Sequence, residues 1–127
     1  MSDPISEMLI NLKNASAAGK EFAVFTLSKQ KESILKIFEK QGYIDSYTVD
    51  SKIHKIKAKL KKDQYGPYFS YVKRISSPGR RIYVKSKDIP FAKTNSGIII
   101  VSTPFGIMTG FQAKRKGLGG ELICEVS

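Results

Sequence analysis

Between Ser102 and Cys124 the chain groups residue types that can hold a phosphate or a ribose. Ser102 and Thr103 lead into a Pro104-Phe105-Gly106 turn, followed by Ile107-Met108-Thr109. Ala113 opens onto Lys114-Arg115-Lys116, then Gly117-Leu118-Gly119-Gly120, and Glu121 begins a short apolar stretch through Cys124. Hydroxyls and glycine N–H groups donate to phosphate and ribose oxygens at close range. Three adjacent cations draw a polyanion to the same place. Bare backbone at Gly106, Gly119 and Gly120 can press against the wide, shallow minor groove of A-form RNA, where long side chains would hold it off. Tight turns needing positive φ would use the same glycines. Glu121 has two readings. It accepts from a base amino group or ribose hydroxyl, or it orients Arg115 or nearby backbone.

Other chemistry has little to stand on. His54 is the one histidine, and it lies in a lysine-rich strand with no Cys, Ser or carboxylate pair beside it. Cys124 falls in an apolar strand, where a buried thiol is the ordinary expectation. Three or four clustered metal ligands are missing from the pattern. Gly117 to Gly120 precedes a strand instead of opening a helix, so it is no dinucleotide fingerprint. The expectation is a binding protein with no enzymatic activity, cofactor, metal or small-molecule substrate.

Formal net charge is +11, and its placement matters more than its size. Residues 52–62 hold six lysines and no acid, and residues 71–90 hold six cations against Asp88, while the remainder is balanced. Such a basic middle third binds polyanions through counterion release. Arg80, Arg81 and Lys85 surround Tyr83 there. That tyrosine is either a half-buried strand residue or a platform for an unpaired base. Lys13, Asn14, Lys29, Lys31, Lys55 and Lys57 are weaker candidates for phosphate contact. No apolar run approaches the roughly 20 residues of a membrane span. The single cysteine cannot form an internal disulfide, which suits a reducing cytosol.

The elements that must position these groups follow from periodicity. Asp3 and Pro4 open a helix whose Ile5, Met8, Leu9 and Leu12 share a face, ending at Ala17-Ala18-Gly19. Phe22 to Leu27 reads as a strand. Ser28 caps a second helix with Ile34, Leu35, Ile37 and Phe38 inward and Gly42 as its stop. A second strand region runs from Tyr43 to Val49. Lys55 to Lys61 alternates strictly, giving one face made of lysine. Tyr68 to Ile75 is expected as its partner strand. Ser76-Ser77-Pro78-Gly79 is the candidate boundary, and beyond it come strands at 81–84, 97–102 and 121–126 with a helix near 111–116 capped by Thr109. The fold class is α+β in two subdomains. Residues 1–75 form an α-β-α-β-β unit, and residues 76–127 a mostly antiparallel β unit that carries the RNA-binding residues.

The closing segment resembles the signature of the bacterial small-subunit ribosomal protein eight family, which runs S-T-S-x-G-hydrophobic-M-T-D, A-basic, then G-hydrophobic-G-G-E-hydrophobic-hydrophobic-C. The likeness extends to Asp3-Pro4-Ile5, Met8-Leu9, Leu12-Lys13-Asn14 and Ser76-Ser77-Pro78-Gly79-Arg80-Arg81-Ile82-Tyr83. Departures are Pro104 for Ser, Gly110 for Asp, and Asn95-Ser96 before Gly97. The resemblance implies a cytoplasmic ribosomal protein that binds a central-domain stem of 16S rRNA and helps assemble the subunit platform. Its partners would be that RNA and neighbouring proteins five and twelve, with no membrane. It also implies that Ser102 and Thr103 belong to a hydroxyl loop touching RNA. The alternatives are a general RNA or polyanion binder, or a translational repressor without a ribosomal role.

Overall fold

The computed structural model describes residues 3–61, 69–94 and 97–127. The chain divides into two compact units, one of Ile5–Ser70 and one of Tyr71–Ser127 joined by the chain start through Pro4.

In the first unit, α1 (Pro4–Ala17) buries Ile5, Met8, Leu9, Leu12 and Ala15 along one stripe. β1 (Phe22–Thr26), α2 (Lys29–Lys40), β2 (Ile44–Asp50) and β3 (Lys55–Leu60) follow. β3 lies between β1 and β2 and is antiparallel to both. The helix α2 therefore joins two strands that run the same way with a third inserted between them, a split β-α-β arrangement. Ser28 accepts the Lys31 amide at 3.2 Å to cap α2, and Ile34, Leu35 and Phe38 face inward. Ile37, expected inward, is half-buried. The strict alternation of β3 puts Ile56, Ala58 and Leu60 inside and Lys55, Lys57 and Lys59 in water.

The three α-helices among the described residues end alike. At α2 the Gly42 amide donates to the Glu39 carbonyl and the Tyr43 amide to the Phe38 carbonyl. The Phe38 and Tyr43 rings meet at 6.0 Å, the apolar contact that accompanies this glycine stop. Gly19 and Gly117 repeat the pattern after α1 and after α3 (Gly110–Arg115), with φ of 70° and 68°.

The second unit is a five-stranded antiparallel sheet of β4 (Val72–Arg74), β5 (Tyr83–Val84), β6 (Ile98–Thr103), β7 (Gly106–Thr109) and β8 (Gly120–Val126). β6 pairs with β7 on one side and β8 on the other, and the far edge of β8 is shared by β4 and β5. The excursion between those two edge strands is pinned by Ser76, a fully buried side chain whose hydroxyl takes the Ile82 amide at 2.9 Å. Thr109 caps α3, as the sequence suggests, and it does so through a capping box with Gln112. Its Ala113 packs with Ile89, Ile99, Val101, Met108 and Leu122 on one face of the sheet. At Gly110 the chain presses close to Ile89 and Ile99, and a Cβ there would stand 3.0 Å from the Ile89 side chain.

Three expectations change. Residues 72–74 do not pair with the lysine strand, because β1 and β2 occupy both edges of β3; they pair with Val126, Glu125 and Cys124. The Ser76–Gly79 turn, expected as the boundary, consequently lies inside the second unit. Gly106–Thr109, read only as sequence beyond a turn, is a strand. Tyr68, the first residue of the expected partner strand, and the Asn95-Ser96 departure fall outside the described residues.

Candidate RNA interface

Sheet register assembles the centre of the site. Glu121 stands opposite Tyr83 on β5 and opposite Ser102 on β6. Directly opposed residues in an antiparallel pair point to the same face. Tyr83, Glu121 and Ser102 therefore form one row across three strands. Their neighbours Val101 and Leu122 belong to the cluster beneath α3, so the row occupies the opposite face of the sheet.

The members of the row differ in what they offer. Tyr83 is 67% exposed, so it is not a half-buried strand residue. Ser102 is half-buried, and its hydroxyl has no protein partner among the described residues. The Glu121 side chain is 11% exposed and lies 3.4 Å from Arg81 Nη1, whose own side chain is 55% exposed. Both carboxylate oxygens sit at that distance. A tight charge-assisted bond measures about 2.7–2.9 Å. The contact is thus loose, with acceptor capacity left on Glu121 and an open guanidinium on Arg81. The sequence offers Arg115 as a cation for Glu121 to orient; the structure supplies Arg81.

Thr103 does something else. Its hydroxyl donates to the Gly106 carbonyl at 2.8 Å and accepts the Phe105 amide at 3.1 Å. It orders the turn from within, and of the two adjacent hydroxyls Ser102 is the available one. Pro104 occupies the first corner of that turn, where its fixed φ suits the backbone. Gly106 has φ 120°, a value that demands glycine.

Gly119 and Gly120 press against protein. A Cβ on Gly120 would run into the Ser102 carbonyl oxygen, with the Ser102 carbonyl carbon at 2.9 Å. One on Gly119 would run into the Val84 carbonyl oxygen, with Lys85 Cα at 2.9 Å. The pair lets β5 and β6 close onto β8, which brings Tyr83 and Ser102 to Glu121.

The remaining candidates are dispersed. Arg80 and Lys85 are exposed near Tyr83. Lys114 and Arg115 lie on α3, beyond the other face of the sheet, with Lys114 Nζ 3.9 Å from the Phe91 ring centre and the Arg115 guanidinium 5.8 Å from that of Phe111. In the first unit, Lys13, Asn14, Lys29 and Lys55 are exposed. Lys57 Nζ stands 4.0 Å above the Phe22 ring. Lys31 is largely buried and donates to the Thr26 carbonyl at 3.1 Å, so its ammonium is committed to the end of β1.

Burial pushes the Cys124 thiol up to about 12, with Arg74 pulling weakly the other way, so it stays protonated at neutral pH. His54 sits exposed on the β2–β3 turn with φ 56°. Among the described residues no three His, Cys, Asp or Glu side chains gather as a metal site, and no helix is long and apolar enough to cross a membrane.

The chain is α+β, with the polar row Tyr83–Glu121–Ser102 flanked by Arg80, Arg81 and Lys85 on an antiparallel sheet. Residues 3–127 match the family model described as Ribosomal protein S8, and the chain belongs to that family. It is 41% identical over 136 residues to the small ribosomal subunit protein uS8 of Thermus aquaticus, covering 99% of each chain. It is 43% identical to that of Kosmotoga olearia, covering 98% of each, and 36% identical to that of Erythrobacter litoralis, covering 99% of this chain and 98% of the relative.

Proposed function

We propose that this chain is a non-enzymatic, structural constituent of the small ribosomal subunit, acting in the cytoplasm as a primary 16S rRNA-binding protein. It recognises an internally irregular stem in the central domain and helps the platform assemble, with neighbouring proteins five and twelve as contacts. The observation that carries this reading is the Tyr83–Glu121–Ser102 row. It combines an exposed ring, a sheltered acceptor and an available hydroxyl on a single face, with Arg80, Arg81 and Lys85 beside it for phosphates. Short polar groups and a ring suit RNA presenting ribose hydroxyls and splayed bases. A footprint on full-length small-subunit RNA tests it. Protection of one central-domain stem supports the reading, and diffuse protection replaces it with a general polyanion binder.

The lysine face of β3 favours that second reading enough to require its own measurement. Each cation that truly neutralises a phosphate should lower the log–log salt slope by about 0.7 to 0.9 in magnitude when removed. Arg81→Ala and Lys85→Ala are expected to do so on the cognate stem. Lys57→Ala is expected to leave the slope unchanged, because its ammonium rests over Phe22. Equal slope changes at Lys57 and Arg81 would show that charge alone drives binding.

Pro104 makes a smaller, opposed pair of effects. Serine there would add a hydroxyl and an N–H, and a neutral hydrogen bond nets about 0.5–1.5 kcal/mol. Proline restricts the unfolded chain by about 0.4–1 kcal/mol. Pro104→Ser is therefore expected to bind RNA equally well or slightly tighter and to melt slightly lower. Clearly weaker binding by the variant would make the proline ring itself a packing contact.

A further inference from the structure

We propose that Phe105 is a base-stacking residue: the β6–β7 turn holds its ring out, rigidly, for one unpaired nucleobase of the RNA. The inference rests on the RNA-recognition reading above and assigns it a second aromatic contact.

Exposure alone would not single this residue out, since lone surface apolar side chains are common. The backbone around it does. The Phe105 amide is held by Thr103 Oγ1 at 3.1 Å, and the same hydroxyl donates to the Gly106 carbonyl at 2.8 Å. Pro104 fixes the preceding φ. The residue is thus constrained on both sides, and ordering a preformed turn on binding forfeits little entropy.

The state of the ring is the second observation. Phe22, Phe91 and Phe111 are also exposed, but each has a cation over its ring, from Lys57, Lys114 and Arg115 respectively. Phe105 is 80% exposed, and among the described residues no ring or cation covers it. It alone of the four presents an uncovered aromatic surface. It also lies three residues beyond Ser102, whose cross-strand partner is Glu121. The ligand this chemistry fits is a base outside a helix stack, because every base has a π-face while a paired base is covered on both sides.

The test uses the full chain and two RNAs. One is the irregular central-domain stem with its unpaired bases; the other has those bases deleted to leave a continuous duplex. The fluorescent adenine analogue aminopurine replaces unpaired adenines one at a time. Wild-type protein should prefer the irregular stem and quench the analogue at one position. Phe105→Ala should abolish that quench and weaken the irregular stem about tenfold, as loss of one stacked base does, with the duplex unaffected. Phe105→Tyr should keep both. Thermal melting of the free variants confirms that the exposed substitution leaves the fold in place. A Phe105→Ala protein that quenches and binds like wild type overturns the stacking contact alone. So does an affinity loss with the quench intact, or an equal loss on both RNAs. Wild-type protein that binds both RNAs alike overturns the recognition reading, and this inference with it.

Discussion

Gly120→Ala is expected to lose about 3 kcal/mol of folding stability, at the upper end of what overpacking costs. The atoms its Cβ would meet are the Ser102 carbonyl oxygen and carbon and the Thr103 Cα, all backbone. A flexible side chain could swing aside; a strand in a ladder cannot move without stretching its hydrogen bonds. The displaced contact lies in the β6–β8 pair at the centre of the sheet. Urea denaturation measures the loss. Gly79→Ala is the matched control, because nothing stands within 4 Å of its Cβ and its φ is not positive. It should fall near the parent or slightly above it.

Gly119→Ala separates assembly of the site from stability of the fold. Its clash is with Val84 and Lys85, at the end of the two-residue edge strand β5. An edge strand this short can peel away at lower cost. The variant should stay folded, while Tyr83 shifts from its place opposite Glu121 and binding to the irregular stem weakens. Unchanged RNA binding by a folded Gly119→Ala protein would remove the glycine pair from the account of the site.

The parts of the fold legible in the sequence are those decided within a few residues. Ser28 and Thr109 could be read as caps, and Gly42 as a stop, because capping bonds span three to five positions. The alternation of Lys55 to Leu60 showed one wet face because side chains on a strand alternate with period two. The pairing of Val72–Arg74 with β8 was not legible. A short strand looks the same whichever edge it joins, and the choice depends on which edges the rest of the chain leaves open. β7 is four residues long and merges with the turn before it and the cap after it, so no periodicity could reveal it.

The candidate site divides along the same line. The sequence marked Tyr83, Ser102 and Glu121 by residue type, yet only sheet register puts them in one row. It could not distinguish Ser102 from Thr103, since two adjacent hydroxyls are chemically alike until the turn engages one of them. Nor could it show that Gly119 and Gly120 meet protein backbone, because close approach to RNA and close approach to a neighbouring strand ask for the same residue. Phe105 carried a signal of a kind, an aromatic residue between proline and glycine, but nothing local says which exposed rings will be covered by cations.

Glu121→Ala should cost about 3 kcal/mol of binding to the irregular stem, the upper range for hydrogen bonds involving a charged group, and almost nothing on an unrelated duplex. A carboxylate near a polyanion is unfavourable unless it accepts a specific proton, so its worth lies in discrimination. Its removal also releases the Arg81 guanidinium from a 3.4 Å partner. A freed arginine can reach phosphate on any RNA, so non-cognate binding should hold steady or rise slightly, and the salt slope on the duplex should not fall. Glu121→Gln, which keeps the shape and one acceptor, should fall between. Ser102→Ala should lose about 1 kcal/mol on the irregular stem, as a single neutral hydrogen bond does. Thr103→Ala should show its main effect in melting temperature, because its hydroxyl is engaged with Phe105 and Gly106. Affinities on both RNAs across a salt series distinguish these cases. If Glu121→Ala loses equally on both, the carboxylate only steadies the sheet edge, and discrimination must come from the aromatic rings and the serine.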